Sequence, residues 1–384
     1  MKHNYDAIVI GAGSVGLPIA GNLREQGLKT LVIEELPSPG QGQNKTAIGG
    51  IRATHSHFSK IKTCLRSIEI FKTWREAHGD DIGWIQGGYI FVAYSEEMAG
   101  SLKEIVKLQK DLGLNIEWLP ASGLLEIAPG LEKEGLLGGT FSPEDGSASP
   151  LLSSAAFFSH AQKLGVEFRF REKVTALNLK KGKVSGLKTD RDSYACDVVV
   201  NAAGASALEI AALAGLKIPV VPESHEGGIT EPCRRFFRPM VVDMRKEGPS
   251  ENYYFYQNSE GQVEFCITPD PPITGTDRRE TSAFLPLVAR RMVSLMPLLA
   301  NLRVRRTWRG LYPMTPDGFP FVGACAEPEG LVHAVGMCGQ GFMLGPGIGE
   351  LVGRLIAKKL TDEDKKVLEG YSLERALCGK EAFK

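Results

Sequence analysis

The chain has 384 residues, 43% of them hydrophobic and 23% charged, a globular composition long enough for two domains. Its formal net charge is zero, so neither a nucleic acid nor another polyelectrolyte is implied as a partner. The seven cysteines, at 64, 196, 233, 266, 325, 338 and 378, form no C-x-x-C pair, so no metal is expected and reduced thiols in a cytoplasm are.

The opening text, MKHNYDAIVIGAGSVGLPIAGNL, is broken by glycines and followed at once by Arg24 and Glu25. No run of about 18 uncharged apolar residues occurs, so a soluble protein without a transmembrane segment is expected. Residues 6–10 predict a strand, LPIAGNLREQG a helix and KTLVIEE a second strand. This βαβ unit implies a parallel sheet covered on both faces.

Gly11, Gly13 and Gly16 make G-x-G-x-x-G between strand and helix, with Ser14 and Val15 inside the turn. The first glycine permits the turn, the second lets backbone approach a pyrophosphate, and the third brings helix against strand. The helix N-terminus then faces the phosphates. Glu34, 18 residues past Gly16, ends the second strand, where a carboxylate accepts ribose hydroxyls and repels a 2′-phosphate. Glu35 follows it. The pattern points to a dinucleotide and leaves NAD and FAD both open.

Residues 40–60 predict a loop, 60–78 a helix, GGYIFVAY (87–94) a strand and EEMAGSLKEIVKLQKDLGL an amphipathic helix. SPEDGSASP (142–150) reads as a polar turn crossing between domains. LLSSAAFFSHAQKLG predicts a helix stopped at Gly165. EFRFR, KVTALNL and KVSGLKT predict short strands, and ACDVVVNAAG (195–204) a strand into a small-residue turn. From 217 to 300 the text turns to aromatics, alternating strands and Pro-rich turns. Glycine-rich text returns after 305, ending in GMCGQGFMLGPGIGELVGRL (336–355). Cofactor-like text in three separated blocks implies interleaved domains.

The late turn decides between the two dinucleotides. FAD is longer than a single glycine turn can hold, and its reduced ring carries negative charge that a second helix N-terminus would stabilise. Gly339, Gly341, Phe342, Met343 and Leu344 are the candidates there. Tight helix packing is the competing explanation for these glycines.

DAIVIGAGSVGLPIAGNL…LVIEE, GGIRATHS, CDVVVNAAG, WRGLYPMTPDGFPFVG and GMCGQGFMLGPGIGELV together resemble the D-amino-acid oxidase-like flavoproteins, in that family's order and over nearly the whole chain. NKTAIGGIRATHS and HEGGITEP look most like the branch of proline-dehydrogenase and sarcosine-oxidase β subunits. The resemblance implies an α/β fold: a Rossmann-like, glutathione-reductase-type FAD domain (1–84, 144–216 and 305–384) interleaved with an antiparallel-sheet substrate domain (85–143 and 217–304). It implies oxidation of an amino acid's C–N bond by hydride transfer to flavin N5, giving an imine. A secondary amine such as proline or sarcosine is favoured. The alternatives are a glycine-oxidase-like primary-amine oxidase, an electron-relay subunit of a larger complex, or a dinucleotide-binding module without catalysis.

Arg52 lies where the sarcosine-oxidase branch places its substrate arginine, and a guanidinium meets a carboxylate in two parallel bonds. Tyr312 stands where glycine oxidase carries a carboxylate arginine, and Met343 where monomeric sarcosine oxidase has a lysine. Gly310 aligns with that enzyme's flavin-linking cysteine, so FAD is expected to be non-covalent. Thr46, Ala47 and Gly50 resemble positions near the flavin, and Val174, Ala202, Ala203 and Gly204 positions at its adenine half. Tyr254 and Tyr256, two apart on a strand, share a face and are candidates to cover the substrate. Trp308 is expected at the domain junction. The strand text VEFCITP carries no lysine for oxygen activation, which favours a dehydrogenase. His55, His57 and His225 have no assigned role. The electron acceptor is left open.

Overall fold

The computed structural model describes residues 3–377 and 380–382, so Cys378 lies outside the described residues. A first sheet runs in the order Phe321–Ala324, Leu331–Val335, Ser193–Asn201, His3–Ile10, Thr30–Glu34, Glu167–Phe170. All its pairings along this path are parallel except the first. Val174–Lys180 and Lys183–Thr189 form an antiparallel flank on Ser193–Asn201. Ala7, Ile8, Val9 and Ile10 are all buried, as expected for a strand covered on both faces.

Helix Gly16–Glu25 covers this sheet and packs against the late helix Gly341–Ile356 and against Pro150–Lys163. The last of these starts at Ser149, whose hydroxyl accepts from Leu152 N, and ends before Gly165 at φ +89°. Helix Phe58–His78 begins two residues before its expected start, because His57 Nδ1 accepts from Ser59 N. It stops at Gly79, in the left-handed region.

A second sheet of eight strands runs Val304–Met314, Val221–Pro232, Gln262–Pro269, Ser250–Gln257, Met240–Asp243, Tyr89–Ala93, Gly138–Ser142, Glu117–Pro120. It is antiparallel except where Met240–Asp243 meets Tyr89–Ala93. Val304–Met314 departs from the expected division, which put residues after 305 with the cofactor text. Its backbone pairs with Val221–Pro232 from Thr230↔Val304 to Val221↔Met314, so it belongs to the second sheet. The 142–150 segment does cross from this sheet to the helix at Pro150, yet it is not a solvated turn. Gly146–Ser147 pairs with Gly50–Ile51, and fully buried Asp145 accepts from Ala53 N at 3.0 Å.

Candidate active site

One cavity of about 590 Å³ lies between the C-terminal ends of the first sheet's strands and one face of the second sheet. Its first end is the early glycine turn. Gly11 has φ +108°, and a Cβ there would overlap the Ala202 carbonyl. Gly13 looks onto open space, with nothing within 4 Å of an added Cβ. Ser14 and Val15 complete the wall, and helix Gly16–Glu25 starts with no side-chain cap. Gly16 itself lies behind the turn, where a Cβ would overlap the Gly11 carbonyl oxygen, so it shapes the cavity without lining it.

Glu34 and Glu35 line the same end. Glu34 Oε2 accepts from Ala12 N at 2.8 Å and Oε1 from Leu36 N at 2.9 Å. Burial raises its pKa, against the pull of those two N–H groups. Each carboxylate oxygen keeps acceptor capacity for a ribose hydroxyl. Val174, Ala202, Ala203 and Gly204 line this end too.

Thr46, Ala47 and Gly50 line the middle. Trp308 Nε1 donates to Thr46 O at 2.9 Å and so ties the second sheet to this loop. Gly310 is outside the wall: a Cβ on it would overlap Thr46 Oγ1, so its job is to let strand and loop approach.

The far end joins the late turn to the second sheet. Gly339, Gly341, Phe342 and Met343 line it, whereas Leu344 turns into the apolar core. Tyr312 is clasped on one side by His225, whose ring stacks at 3.8 Å and 15°, and touched by Gly339, where a Cβ would overlap the phenol. Tyr254 and Tyr312 join their hydroxyls at 2.8 Å. Burial raises both pKa values well above that of a free phenol, so both stay O–H groups. One O–H is spent within the pair, and the other serves a third partner, Cys266 Sγ at 3.9 Å from the Tyr312 oxygen or a bound molecule. Tyr256 is off the wall. Its hydroxyl instead donates to Ile48 O at 2.5 Å, with Glu264 Oε1 3.2 Å away, bracing the middle loop.

Arg52 is buried in the wall, with Nη1 bonded to Thr54 O and 3.3 Å from His55 Nδ1, and its guanidinium 5.4 Å from the Phe91 ring centre. Burial, with the charges of Arg52 and Lys60, holds the His55 pKa well below the usual imidazole value. A neutral His55 ring can accept from the guanidinium. His57 serves as a helix cap, edge-on to Phe319 at 5.1 Å.

Thr276, Arg278 and Gln340 are among the wall residues that went unseen in the sequence. Thr276 and Arg278 come from the exposed loop 270–283, which is pinned to strand Val221–Pro232 by Ser224 N donating to Ile273 O at 2.8 Å. No motif marks them. Gln340 sits inside the quoted late turn, flanked by the glycines that drew attention.

The wall fits an FAD-sized group: an open glycine cradle under an uncapped helix start, a carboxylate for a ribose, and a second uncapped helix start at the far end. Among the described residues no three His, Cys, Asp or Glu are placed to hold a metal ion, and no helix is long and apolar enough to cross a membrane. Residues 6–355 match the family described as FAD dependent oxidoreductase. The chain belongs to this family. FAD is therefore its cofactor, and Gly310 has no side chain that could link to it. The chain is 29% identical to the glycine oxidase of Geobacillus kaustophilus, over 98% of both chains. It is 27% identical to hydrogen cyanide synthase subunit HcnC of Pseudomonas aeruginosa, over 93% of both. The crystal structure of L-proline dehydrogenase from P. horikoshii superposes with a TM-score of 0.90 at 30% identity, covering 97% of this chain and 98% of that one.

Proposed function

We propose that this oxidoreductase removes two hydrogens across the C–N bond of a small amino acid, with a secondary amine such as proline or sarcosine as the preferred substrate. The observation that carries this reading is one buried arginine and a paired, un-ionised tyrosine hydroxyl set in the same cavity wall. Bound FAD supplies the two-electron acceptor. Arg52 takes the substrate carboxylate, anchored through Nη1 so that the fork keeps one orientation. The Tyr254–Tyr312 pair donates its outward O–H to a substrate oxygen. Because both phenols resist ionisation, they orient the substrate and do not act as bases. Phe91, Met240, Val242 and Leu311 give the far end an apolar lining that excludes water and favours the neutral amine. The similarity to an L-proline dehydrogenase at 30% identity supports the secondary amine.

In this reading residues 1–84, 144–216 and 315–384 hold the cofactor, and 85–143 with 217–314 carry the substrate. The six described cysteines are free, which supports a cytoplasmic setting.

The similarity to glycine oxidase favours a second reading, a primary amine as substrate. Anaerobic titration of the yellow protein with proline, sarcosine, glycine and D-amino acids, followed by flavin absorbance, separates the two. Bleaching by a secondary amine supports the first reading, and bleaching by glycine alone replaces it. Readmitting air distinguishes an oxidase from a dehydrogenase. A flavin that no amino acid reduces points to an electron-relay subunit, a role compatible with likeness to a synthase subunit. Arg52→Lys should weaken the reactive amino acid's binding by about 10- to 100-fold, since a point charge replaces the fork (about 1.5–3 kcal/mol). FAD content should stay unchanged.

A further inference from the structure

Behind the late turn lies a buried charge cluster that the proposed chemistry leaves unused. Lys60, on helix Phe58–His78, has no exposed surface. Its Nζ donates to Gln340 Oε1 at 2.6 Å and to Gly318 O at 2.7 Å, and lies 3.5 Å from Glu381 Oε2. An ammonium only donates, so Gln340 must present its amide oxygen to Lys60, which sets the orientation of the whole amide. Gln340 lines the cavity and directly precedes Gly341, the first residue of the late helix.

The two charges of the ion pair are held differently. The ammonium bonds directly to a cavity-wall residue. The carboxylate is held by Ser56, off the wall, whose N and Oγ reach Glu381 Oε1 at 3.0 and 2.7 Å. His55 Nδ1, 4.0 Å from Glu381 Oε2, is kept neutral by burial and adds no charge. A buried ion pair is a poor stabiliser compared with apolar side chains of the same volume. Its placement one hydrogen bond behind the cofactor cavity gives it another use.

We infer that Lys60 is a positioning residue for the flavin's redox balance: through Gln340 it brings positive potential to the cavity wall and favours the reduced, more negative flavin, while Glu381 trims that effect. The inference rests on FAD as cofactor and not on which amino acid is oxidised, so it is read without substrate. In a low-dielectric wall a unit charge acts at this range with little screening.

The experiment equilibrates purified holoenzyme with a reference dye of known potential and reads the flavin spectrum. Lys60→Met should move the reduced-to-oxidised ratio at fixed dye potential about tenfold toward oxidised, which is about 30 mV for a two-electron couple. Glu381→Gln should move it by a similar factor toward reduced, and the double variant should return near the parent. Shifts of the same sign, or none in variants that hold stoichiometric FAD, overturn the inference. Should Lys60→Met not fold, Gln340→Leu takes its place and must shift opposite to Glu381→Gln. An unmoved Glu381→Gln also overturns it.

Discussion

Two glycine-rich turns, one near each end of the chain, open helices onto the same cavity, and they spend their glycines differently. In the early turn each glycine has its own job: Gly11 takes a left-handed backbone, Gly13 looks onto open cavity, and Gly16 meets the Gly11 carbonyl. In the late turn the work is divided along the chain. Gly339 and Gly341 face the cavity, whereas Gly345, Gly349 and Gly353 lie inside the helix and touch Ser14 of the early turn and Pro18 and Asn22 of the first helix. Tight packing therefore accounts for Gly345, Gly349 and Gly353, while Gly339 and Gly341 belong to the cavity wall. Because Gly345 sits on the Ser14 carbonyl, the two helix starts are registered to each other, and with them the two ends of the cavity.

The comparison breaks most sharply at Gly16. Gly16→Ala forces a methyl into the Gly11 carbonyl, and overpacking of this kind costs about 1–3 kcal/mol. If the turn yields, FAD affinity should fall about 10- to 100-fold, measured by fluorescence titration of the apoprotein. Gly349→Ala should cost a similar sum in the other currency. Its methyl meets the Pro18 ring and backbone away from the cavity, so unfolding midpoints should drop while FAD stoichiometry holds below the transition. Equal loss of FAD in both variants would dissolve the distinction between the turns.

Acidity sharpens the contrast, since Glu34 belongs to the early turn alone. Its folded pKa is raised from 4.5, so the folded apoprotein takes up this proton more readily than the unfolded chain. Its contribution to stability is greatest below pH 4.5 and is lost as pH rises toward the raised value. Denaturant titrations of the apoprotein across that range should show the loss, and Glu34→Gln should flatten it. Gly13→Ala is the mildest change. Its methyl enters empty cavity, so apoprotein stability should stay within about 0.5 kcal/mol while FAD binding weakens.

What the sequence made legible is local. The βαβ unit, the three early glycines and Glu34 lie within a stretch of about 30 residues, and their physics is carried by neighbours along the chain. Tyr254 and Tyr256 show the limit. Their spacing puts both on one face, but a partner from the distant loop, Ile48 O, draws the second hydroxyl away from the cavity. The placement of Val304–Met314 was likewise decided by a partner strand and not by its own glycine-rich context. Lys60 reads in the sequence as one more helix lysine, because its buried partners Gly318, Gln340 and Glu381 all come from the last quarter of the chain.

The packing of the last long helix on the first also sets a timetable. Helix Gly16–Glu25 leaves the ribosome about 300 residues before Gly341–Ile356, the helix it must pack against. At about 5–20 residues per second, that is a wait of roughly 15–60 seconds. During it the side of the first helix that meets Gly341–Ile356 stays uncovered, and the early turn has only part of its cavity wall. The complete cavity wall thus exists only once the late turn has been made, and a chain cut short before Gly339 carries the glycine motif yet lacks the far end of the cavity.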